Sequence, residues 1–184
     1  MRRAVFLDRD GVINRAFVRG GKPYPPRRPE ELEILPGVPE AAASLRRAGF
    51  LVIGATNQPD LSAGLVSAEA LDLMHERIRA EVGLDDVKVC PHDDSRGCEC
   101  RKPRPGMLLD AARGWSIDLA ASWMVGDCWR DVSAGRAAGC RTVLVGGGYG
   151  EAFPDDPDAR VDSLAEAAAL ILSAGGPVTR RTSV

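Results

Sequence analysis

The sequence has no long apolar run, and this argues against export or membrane insertion. Its first apolar segment, Ala4 to Leu7, follows a basic start and stops at Asp8. That is far short of a signal-peptide core and of the roughly 20 residues that cross a bilayer. We therefore expect a cytoplasmic protein without a membrane partner.

An excess of charge of one sign is also missing. The chain has 24 Lys and Arg against 26 Asp and Glu, a formal net charge of -2, and 5% aromatic residues. Polyanion-binding surfaces need positive charge, and single-stranded nucleic acids need stacking aromatic side chains. A nucleic-acid partner is therefore not expected. The length of 184 residues fits one domain at 1–174 with a sizeable core and a disordered tail at 175–184. We expect a monomer.

Five cysteines occur in a chain that shows no export signal, a context that favours reduced thiols over disulfides. A cluster within eleven positions combines Cys90, His92, Cys98 and Cys100. Three thiolates and an imidazole suit tetrahedral Zn²⁺, and four protein ligands leave no open position, so the predicted zinc is structural. The alternative is a group of buried thiols beside a surface histidine. Cys140 is expected in the core.

Short apolar runs alternate with segments of helical periodicity. Strands buried on both faces are rich in Val, Ile and Leu, and such runs occupy residues 4–7, 51–55, 87–89, 123–125 and 142–145. Helices are expected after the N-cap Ser67 and at residues 38–48, 106–114, 130–138 and 163–174. This alternation predicts an α/β domain with a doubly wound parallel sheet.

Reactive side chains follow three of the predicted strands. Asp8 and Asp10 come directly after the first strand, Thr56 after the second and Asp127 after the fourth. Ligands in such folds bind beyond the carboxyl ends of the strands, so we expect these side chains to share one site. A lone pair of aspartates at this spacing is more simply a strand followed by an acidic turn. Here the ordered set, completed by Lys102, supplies a nucleophile, a hydroxyl, a lysine and a metal carboxylate.

This four-part order resembles the haloacid dehalogenase (HAD) phosphohydrolase superfamily over roughly residues 4 to 150. The resemblance implies a HAD-like Rossmannoid fold and phosphoryl transfer. Asp8 is then the nucleophile that forms an aspartyl-phosphate, and Asp10 protonates the leaving group and later activates water. A carboxylate at the second position favours net hydrolysis over retention of the phosphoenzyme.

The resemblance also implies the remaining roles. Mg²⁺ is expected on the Asp8 side chain, the Asp10 backbone carbonyl and Asp127, because hard cations prefer oxygen ligands. Thr56 is expected to donate a hydrogen bond to a phosphoryl oxygen, and Lys102 to neutralise charge beyond the reach of the metal. Asp131 either supports the metal ligands from behind or stabilises a helix start.

The cysteine cluster with the following Arg101-Lys102-Pro103 and Pro105-Gly106-Met107 is similar to the D-glycero-D-manno-heptose-1,7-bisphosphate 7-phosphatases. These are capless relatives of the histidinol-phosphate phosphatases. The expected substrate-binding residues are Asn57, Gln58 and Arg101, with Arg101 gripping a second phosphate. Binding of zinc beside Arg101 and Lys102 would stiffen the loop that carries them.

Three departures from this family leave the sugar open. Cys128 stands where the family usually has a lysine, and the arginine common just before Gly64 is absent. The third is the Pro- and Arg-rich stretch from Arg19 to Pro36, within the segment 15–36 that is expected as a loop over the mouth of the site. Heptose bisphosphate is the favoured substrate, with histidinol phosphate or another sugar phosphate as alternatives. A non-catalytic phosphosugar-binding module and a phosphatase for nucleic-acid ends are alternatives of other classes. His75 is expected as an ordinary surface or boundary residue.

Overall fold

The computed structural model describes residues 1–20, 22–146, 152 and 154–174. Its strands are β1 (Arg3–Leu7), β2 (Phe17–Arg19), β3 (Lys22–Tyr24), β4 (Phe50–Asn57), β5 (Asp86–Cys90), β6 (Trp123–Gly126), β7 (Arg141–Val145) and β8 (Ala159–Val161). Six of them form a parallel sheet in the order β5-β4-β1-β6-β7-β8. All five predicted strands are confirmed. The expected tail at 175–184 lies outside the described residues.

Helices connect the parallel strands, and each predicted helix is present. They are α1 (Val38–Arg47), α2 (Pro59–Ser62), α3 (Ala68–Val82), α4 (Gly106–Trp115), α5 (Trp129–Ala138) and α6 (Leu164–Ala174). The Ser67 hydroxyl accepts a hydrogen bond from the backbone N–H of Ala70 and caps α3 as expected. No helix in the described ranges is long and apolar enough to span a membrane.

The two faces of the sheet bury separate apolar cores. Along β1, Val5 and Leu7 point into the core under α1, α3 and α6, whereas Ala4 and Phe6 point into the core under α4 and α5. Successive side chains of a strand face opposite ways, and the four residues are fully buried. The predicted doubly wound architecture is therefore confirmed.

The central strand β1 brings the carboxyl ends of its neighbours together. Leu7 pairs with Gly54 of β4 on one side and with Val125 of β6 on the other. The backbone N–H of Asp8 continues this ladder by donating to the carbonyl of Val125 at 2.9 Å. Side chains that follow β1, β4 and β6 therefore meet at one edge of the sheet.

The segment 15–36 has more structure than the expected loop. Strands β2 and β3 pair as an antiparallel hairpin, with Phe17 opposite Tyr24, and a short 3₁₀ turn follows at Pro29–Glu31. A bridge between Asn14 and Ile34 closes the base of the segment. The expectation of a loop was wrong. Strands were predicted from apolar runs, and a hairpin that lies outside the buried main sheet can form without such a run. The strand β8 and the short α2 were also not predicted.

Candidate active site

A cavity of about 260 Å³ opens at the carboxyl ends of β1, β4 and β6. It brings together the side chains predicted from four distant parts of the sequence. Its lining residues are Asp8, Asp10, Pro23, Tyr24, Pro25, Thr56, Asn57, Pro59, Arg101, Lys102, Asp127, Cys128, Arg130 and Asp131. Pro23 and Tyr24 of the hairpin and the following Pro25 line the cavity, so this part of the segment 15–36 lies at the mouth as expected. Gln58 lies deeper, at 1% exposure.

Lys102 links the acidic side chains at the floor of this cavity. Its ammonium donates to Asp8 Oδ1 at 2.7 Å, to Asp131 Oδ1 at 2.5 Å and to the Ala55 carbonyl at 2.7 Å. Burial opposes the charge on Lys102, but the carboxylates of Asp131 and Asp8 outweigh it and raise the pKa of the ammonium. Lys102 therefore stays protonated while it contacts Asp8.

Asp131 contacts both Lys102 and the start of α5. One carboxylate oxygen accepts from Lys102, and the other accepts from the backbone N–H groups of Asp127 and Cys128 at 3.2 Å. Asp131 therefore stabilises the start of α5 and fixes the lysine. A Cβ on Gly126 would overlap the side chain of Asp131, so only glycine permits this approach.

Cys128 adds a neutral thiol to the cavity wall. Its sulfur donates to Asp131 Oδ2 at 3.2 Å. Burial, together with the surrounding carboxylates, raises the pKa of the thiol well above its usual range. The cationic side chains of the cavity wall therefore come from Lys102, Arg101 and Arg130.

The carboxylate of Asp10 is held by three side chains. Oδ1 accepts from Asn14 at 2.9 Å and from Arg9 Nη2 at 3.0 Å, and Oδ2 accepts from Gln58 Nε2 at 2.7 Å. The Gln58 amide also donates to Thr56 Oγ1 at 2.8 Å. Gln58 therefore links the Thr56 hydroxyl to the Asp10 carboxylate through hydrogen bonds. The sequence motifs assigned no role to Arg9.

His75 is not a surface or boundary residue, contrary to expectation. It is 8% exposed, and its Nε2 lies 3.3 Å from Arg9 Nη1. Burial and the charge of Arg9 lower the pKa of His75 to about 4. Helical periodicity could have indicated a buried face, since His75 follows Met74 on α3, but its partner lies 66 positions away.

Two arginines share one carboxylate at the rim. Arg101 Nε and Arg130 Nη1 each donate to Asp94 Oδ1 at 2.9 Å. Arg101 also donates to the His92 carbonyl at 2.9 Å. Arg130 is a further cation that the sequence motifs did not reveal. Asn57 accepts from the Lys102 N–H and donates to the Lys102 carbonyl, both at 3.1 Å, which fixes the backbone of the lysine.

The predicted metal cluster is brought together as expected. The Cys100 sulfur lies 3.0 Å from that of Cys90, 3.4 Å from that of Cys98 and 3.5 Å from His92 Nδ1. The Cys90 sulfur lies 3.6 Å from that of Cys98 and 3.8 Å from His92 Nδ1. Tetrahedral zinc with bonds of about 2.3 Å to sulfur and about 2.0 Å to nitrogen separates its ligands by roughly 3.5–3.8 Å. Three of the five separations lie in this range and two are shorter, so the four ligand atoms surround one point at which a tetrahedral metal ion could bind.

The cluster is joined to the helix that follows it. The N–H of Gly106, at the start of α4, donates to the Glu99 carbonyl at 3.0 Å. A Cβ on Gly106 would overlap that carbonyl, so the contact requires glycine. The segment between these two residues carries Arg101 and Lys102, which are thus held between the cluster and α4.

The acidic side of the cavity fits a hard divalent cation. Asp8, Asp10 and Asp127 line it and offer oxygen ligands. Burial raises the pKa of Asp8 to about 7, and Lys102 opposes this shift while Asp131 and Asp10 add to it. The largest cause of this shift is burial, and the neighbouring carboxylates are the smaller one. A divalent cation bound by these oxygens would favour the ionised form of Asp8.

Comparison with known proteins agrees with this geometry. Residues 99–167 match the HAD-hydrolase-like family model. A D-glycero-beta-D-manno-heptose-1,7-bisphosphate 7-phosphatase from Bordetella bronchiseptica is 40% identical over 80% of this chain and 83% of its own length. The alpha-anomer enzyme from Mycobacterium tuberculosis is 36% identical over 94% of this chain and 93% of its own. This chain belongs to the heptose-1,7-bisphosphate 7-phosphatase family of HAD-like hydrolases.

Solved structures place this HAD phosphatase in the same family. The crystal structure of D,D-heptose 1,7-bisphosphate phosphatase from B. bronchiseptica, complexed with magnesium and phosphate, superposes with a TM-score of 0.79. It is 36% identical and covers 94% of this chain and 99% of its own. A HAD-like phosphatase from Mesorhizobium loti gives a TM-score of 0.74 at 30% identity, over 96% of this chain and 89% of its own. The predicted capless HAD-like Rossmannoid fold is therefore confirmed.

Proposed function

We propose that this phosphatase removes the C7 phosphate of a D-glycero-D-manno-heptose 1,7-bisphosphate, with Mg²⁺ as its cofactor. The observation that carries the proposal is the convergence of Asp8, Lys102 and Asp127 on one cavity of about 260 Å³. The names of relatives at 40% and 36% identity support the heptose.

The proposed reaction has two steps that share the two aspartates. Asp8 attacks phosphorus, the bond from phosphorus to the sugar oxygen breaks, and an aspartyl-phosphate forms. Asp10 gives its proton to the departing sugar oxygen. Asp10 then takes a proton from water, the water oxygen attacks phosphorus, and inorganic phosphate leaves while Asp8 is regenerated.

The charge of the phosphoryl group is balanced by the cavity wall. Lys102 lies within hydrogen-bond distance of Asp8 and would neutralise an oxygen of the group that Asp8 attacks, and Thr56 would donate its hydroxyl to another. Mg²⁺ would be held by the Asp8 side chain, the Asp10 carbonyl and Asp127, and when bound it would neutralise the remaining phosphoryl oxygens. Asp131 keeps Lys102 in position.

The second phosphate of the substrate would bind at the rim. Arg101 and Arg130 both form ion pairs with Asp94. A phosphate that binds here would replace the Asp94 carboxylate as the partner of both guanidinium groups. Arginine suits this task because its planar fork matches phosphate oxygens. Asn57 lines the cavity and would contact the sugar side. Gln58, which was predicted to bind substrate, would act indirectly by holding Asp10 and Thr56 through hydrogen bonds.

Zinc is the metal that we propose for Cys90, His92, Cys98 and Cys100. Supporting this assignment are the soft thiolate ligands and the fit of their spacing to tetrahedral bonds. The role would be structural, because all four positions are taken by the protein. Reduced thiols are stable in the cytoplasm, and we place the enzyme there. We propose a monomer, since one chain supplies the whole cavity lining.

Phosphorus NMR on the purified enzyme with Mg²⁺ tests this proposal. Both anomers of heptose 1,7-bisphosphate, histidinol phosphate and common sugar phosphates are incubated in parallel, with chelated Mg²⁺ as the control. We expect the C7 signal of a heptose bisphosphate to convert to inorganic phosphate while the C1 signal persists. Faster turnover of histidinol phosphate would reassign the substrate. Absence of release from every compound would favour a binding module.

A further inference from the structure

Arg9 is a buried arginine that has no role in the proposed reaction. It lies between the two aspartates in sequence, and its side chain is 2% exposed. A buried guanidinium is costly unless its donors are paired. Its donors reach three side chains, Asp10, Gln58 and His75. The arginine is therefore a junction between the second aspartate and two buried polar groups.

The contacts of Arg9 fix the plane of the Asp10 carboxylate. Arg9 Nε lies 3.1 Å from both carboxylate oxygens, and Nη2 lies 3.0 Å from Oδ1. Nη2 also donates to Gln58 Oε1 at 3.0 Å. Because Gln58 itself donates to Asp10 at 2.7 Å, the three side chains form a closed ring of hydrogen bonds.

His75 holds the far edge of the guanidinium. Its Nε2 lies 3.3 Å from Nη1, the nitrogen that does not contact Asp10. The neutral ring can accept this hydrogen bond at Nε2. His75 lies on α3, whose Leu71, Met74 and Ile78 are buried in the core. The packing of α3 thus fixes Arg9 from behind.

We propose that the Arg9–His75 pair is a positioning device that orients Asp10 for proton transfer to the leaving oxygen. The proposal rests on the proposed function of Asp10 as general acid, and it holds whichever sugar is the substrate. Proton transfer depends on orientation, and a misplacement of about 1 Å can reduce the rate on the order of 100-fold. His75 is then a positioning residue that acts through Arg9.

This role can be tested with phosphate esters whose leaving groups differ in their need for protonation. Phenyl phosphate has a poor leaving group that needs protonation, whereas 4-nitrophenolate leaves without it. We compare kcat/KM for both esters in the Mg²⁺-loaded enzyme, using His75→Leu, His75→Gln and the core control Met74→Leu. We expect His75→Leu to lose on the order of tenfold on phenyl phosphate and less than about twofold on the nitrophenyl ester. His75→Gln should restore the rate, since its amide oxygen can accept from Arg9.

A double-mutant cycle separates positioning from general loosening of the fold. In an Asp10→Asn background, His75→Leu should cause no further loss on phenyl phosphate, because the group that it positions is gone. Equal losses on the two esters, or a full additional loss in that background, would overturn the proposal. If His75→Leu fails to fold, Arg9→Lys is tested in its place. A single lysine ammonium cannot contact both Asp10 and His75 as the guanidinium does, so the same selective loss on phenyl phosphate is expected.

The outcome can be told apart from a failure of the proposed function. If the wild-type enzyme hydrolyses aryl phosphates but no heptose bisphosphate, the substrate assignment fails and the comparison of esters still decides the role of His75. If Asp10→Asn leaves the ratio of the two esters unchanged, Asp10 is not the acid, and the positioning role fails together with it.

Discussion

Lys102 is the side chain on which the balance of charge at this site depends. It contacts Asp8 and Asp131 at 2.7 and 2.5 Å, although it follows Asp8 by 94 positions. These two carboxylates explain why Lys102 remains charged in a buried position. Because two negative charges surround one positive charge, the group keeps a net negative charge that a divalent metal ion could balance. Cys128 contacts Asp131 as a neutral thiol and leaves this arrangement intact.

The two arginines at the rim should matter for the second phosphate and less for the reaction itself. We expect Arg101→Met and Arg130→Met each to lower kcat/KM for heptose 1,7-bisphosphate on the order of tenfold, because a charge-assisted hydrogen bond contributes about 1.5–3 kcal/mol. Heptose 7-phosphate, which lacks the second phosphate, should be affected far less. Steady-state kinetics on both substrates measure the difference.

A matched control for these variants is Arg28→Met, which removes an exposed arginine paired with Glu31 and should leave both substrates unaffected. Equal losses on the bisphosphate and the monophosphate would mean that Arg101 or Arg130 acts on the reacting phosphate instead.

Motif spacing was sufficient to identify the residues that lie next to a strand end, such as Asp8 and Asp127. It could not identify Arg9, His75 or Arg130. Their roles arise from contacts with residues that are distant in sequence, including 66 positions between Arg9 and His75 and 36 between Arg130 and Asp94. Such contacts follow from packing of whole helices, which local patterns do not specify.

Among the elements, the cysteine loop has the most direct effect on the active site. Its four ligand atoms surround a common point, and the chain continues from Cys100 straight into Arg101 and Lys102. Asp94 lies within the same loop and contacts both rim arginines. A metal ion in the cluster would therefore hold three residues of the cavity region in place.

Removal of the zinc should loosen this loop while leaving the magnesium ligands in place. We expect Cys98→Ser, or chelation of the zinc, to lower kcat on the order of tenfold or more and to reduce the melting temperature. The Mg²⁺ concentration for half-maximal activity should stay near that of the wild type. Metal analysis, thermal denaturation and Mg²⁺ titration provide the three measurements.

The matched control is Cys140→Ser, a cysteine buried outside the cluster, which should reduce stability but not the zinc content. Full activity after complete loss of zinc would contradict a link between the cluster and the catalytic loop.

Five of the six strands of the main sheet were predictable because buried parallel strands need continuous apolar runs. The hairpin of β2 and β3 was not, because Pro23 and exposed residues such as Val18 give no alternating pattern. The strand β8, Ala159–Val161, has three residues, one of them charged, and is too short to stand out. Its pairing with β7 depends on the tertiary fold.

Across the whole molecule, buried ionisable groups make stability depend on pH. His75 has its pKa lowered from 6.5 to about 4 in the folded protein. The neutral ring contributes its full stability above pH 6.5, where the unfolded chain is neutral as well. That contribution is lost as pH falls toward 4, because only the unfolded chain takes up the proton in this window.

The variant His75→Gln removes this titration and should flatten the pH dependence of stability. Relative to the variant, we expect the wild type to lose about 1 kcal/mol of unfolding free energy between about pH 7.5 and about pH 5.5. Urea denaturation at both pH values measures the difference, and contributions of other groups cancel between the two proteins. A difference that does not change with pH would show that His75 titrates normally in the fold.

The doubly wound α/β architecture puts the ends of β1, β4 and β6 beside one another, and this convergence is what the proposed chemistry requires. The most direct test is to quench the Mg²⁺-loaded enzyme with acid during turnover of a labelled phosphate ester and to locate the label by peptide mass spectrometry. We expect an acyl phosphate on Asp8 that is absent in Asp8→Asn, together with loss of turnover in that variant. Label on another residue, or near-normal turnover by pure Asp8→Asn, would contradict the account.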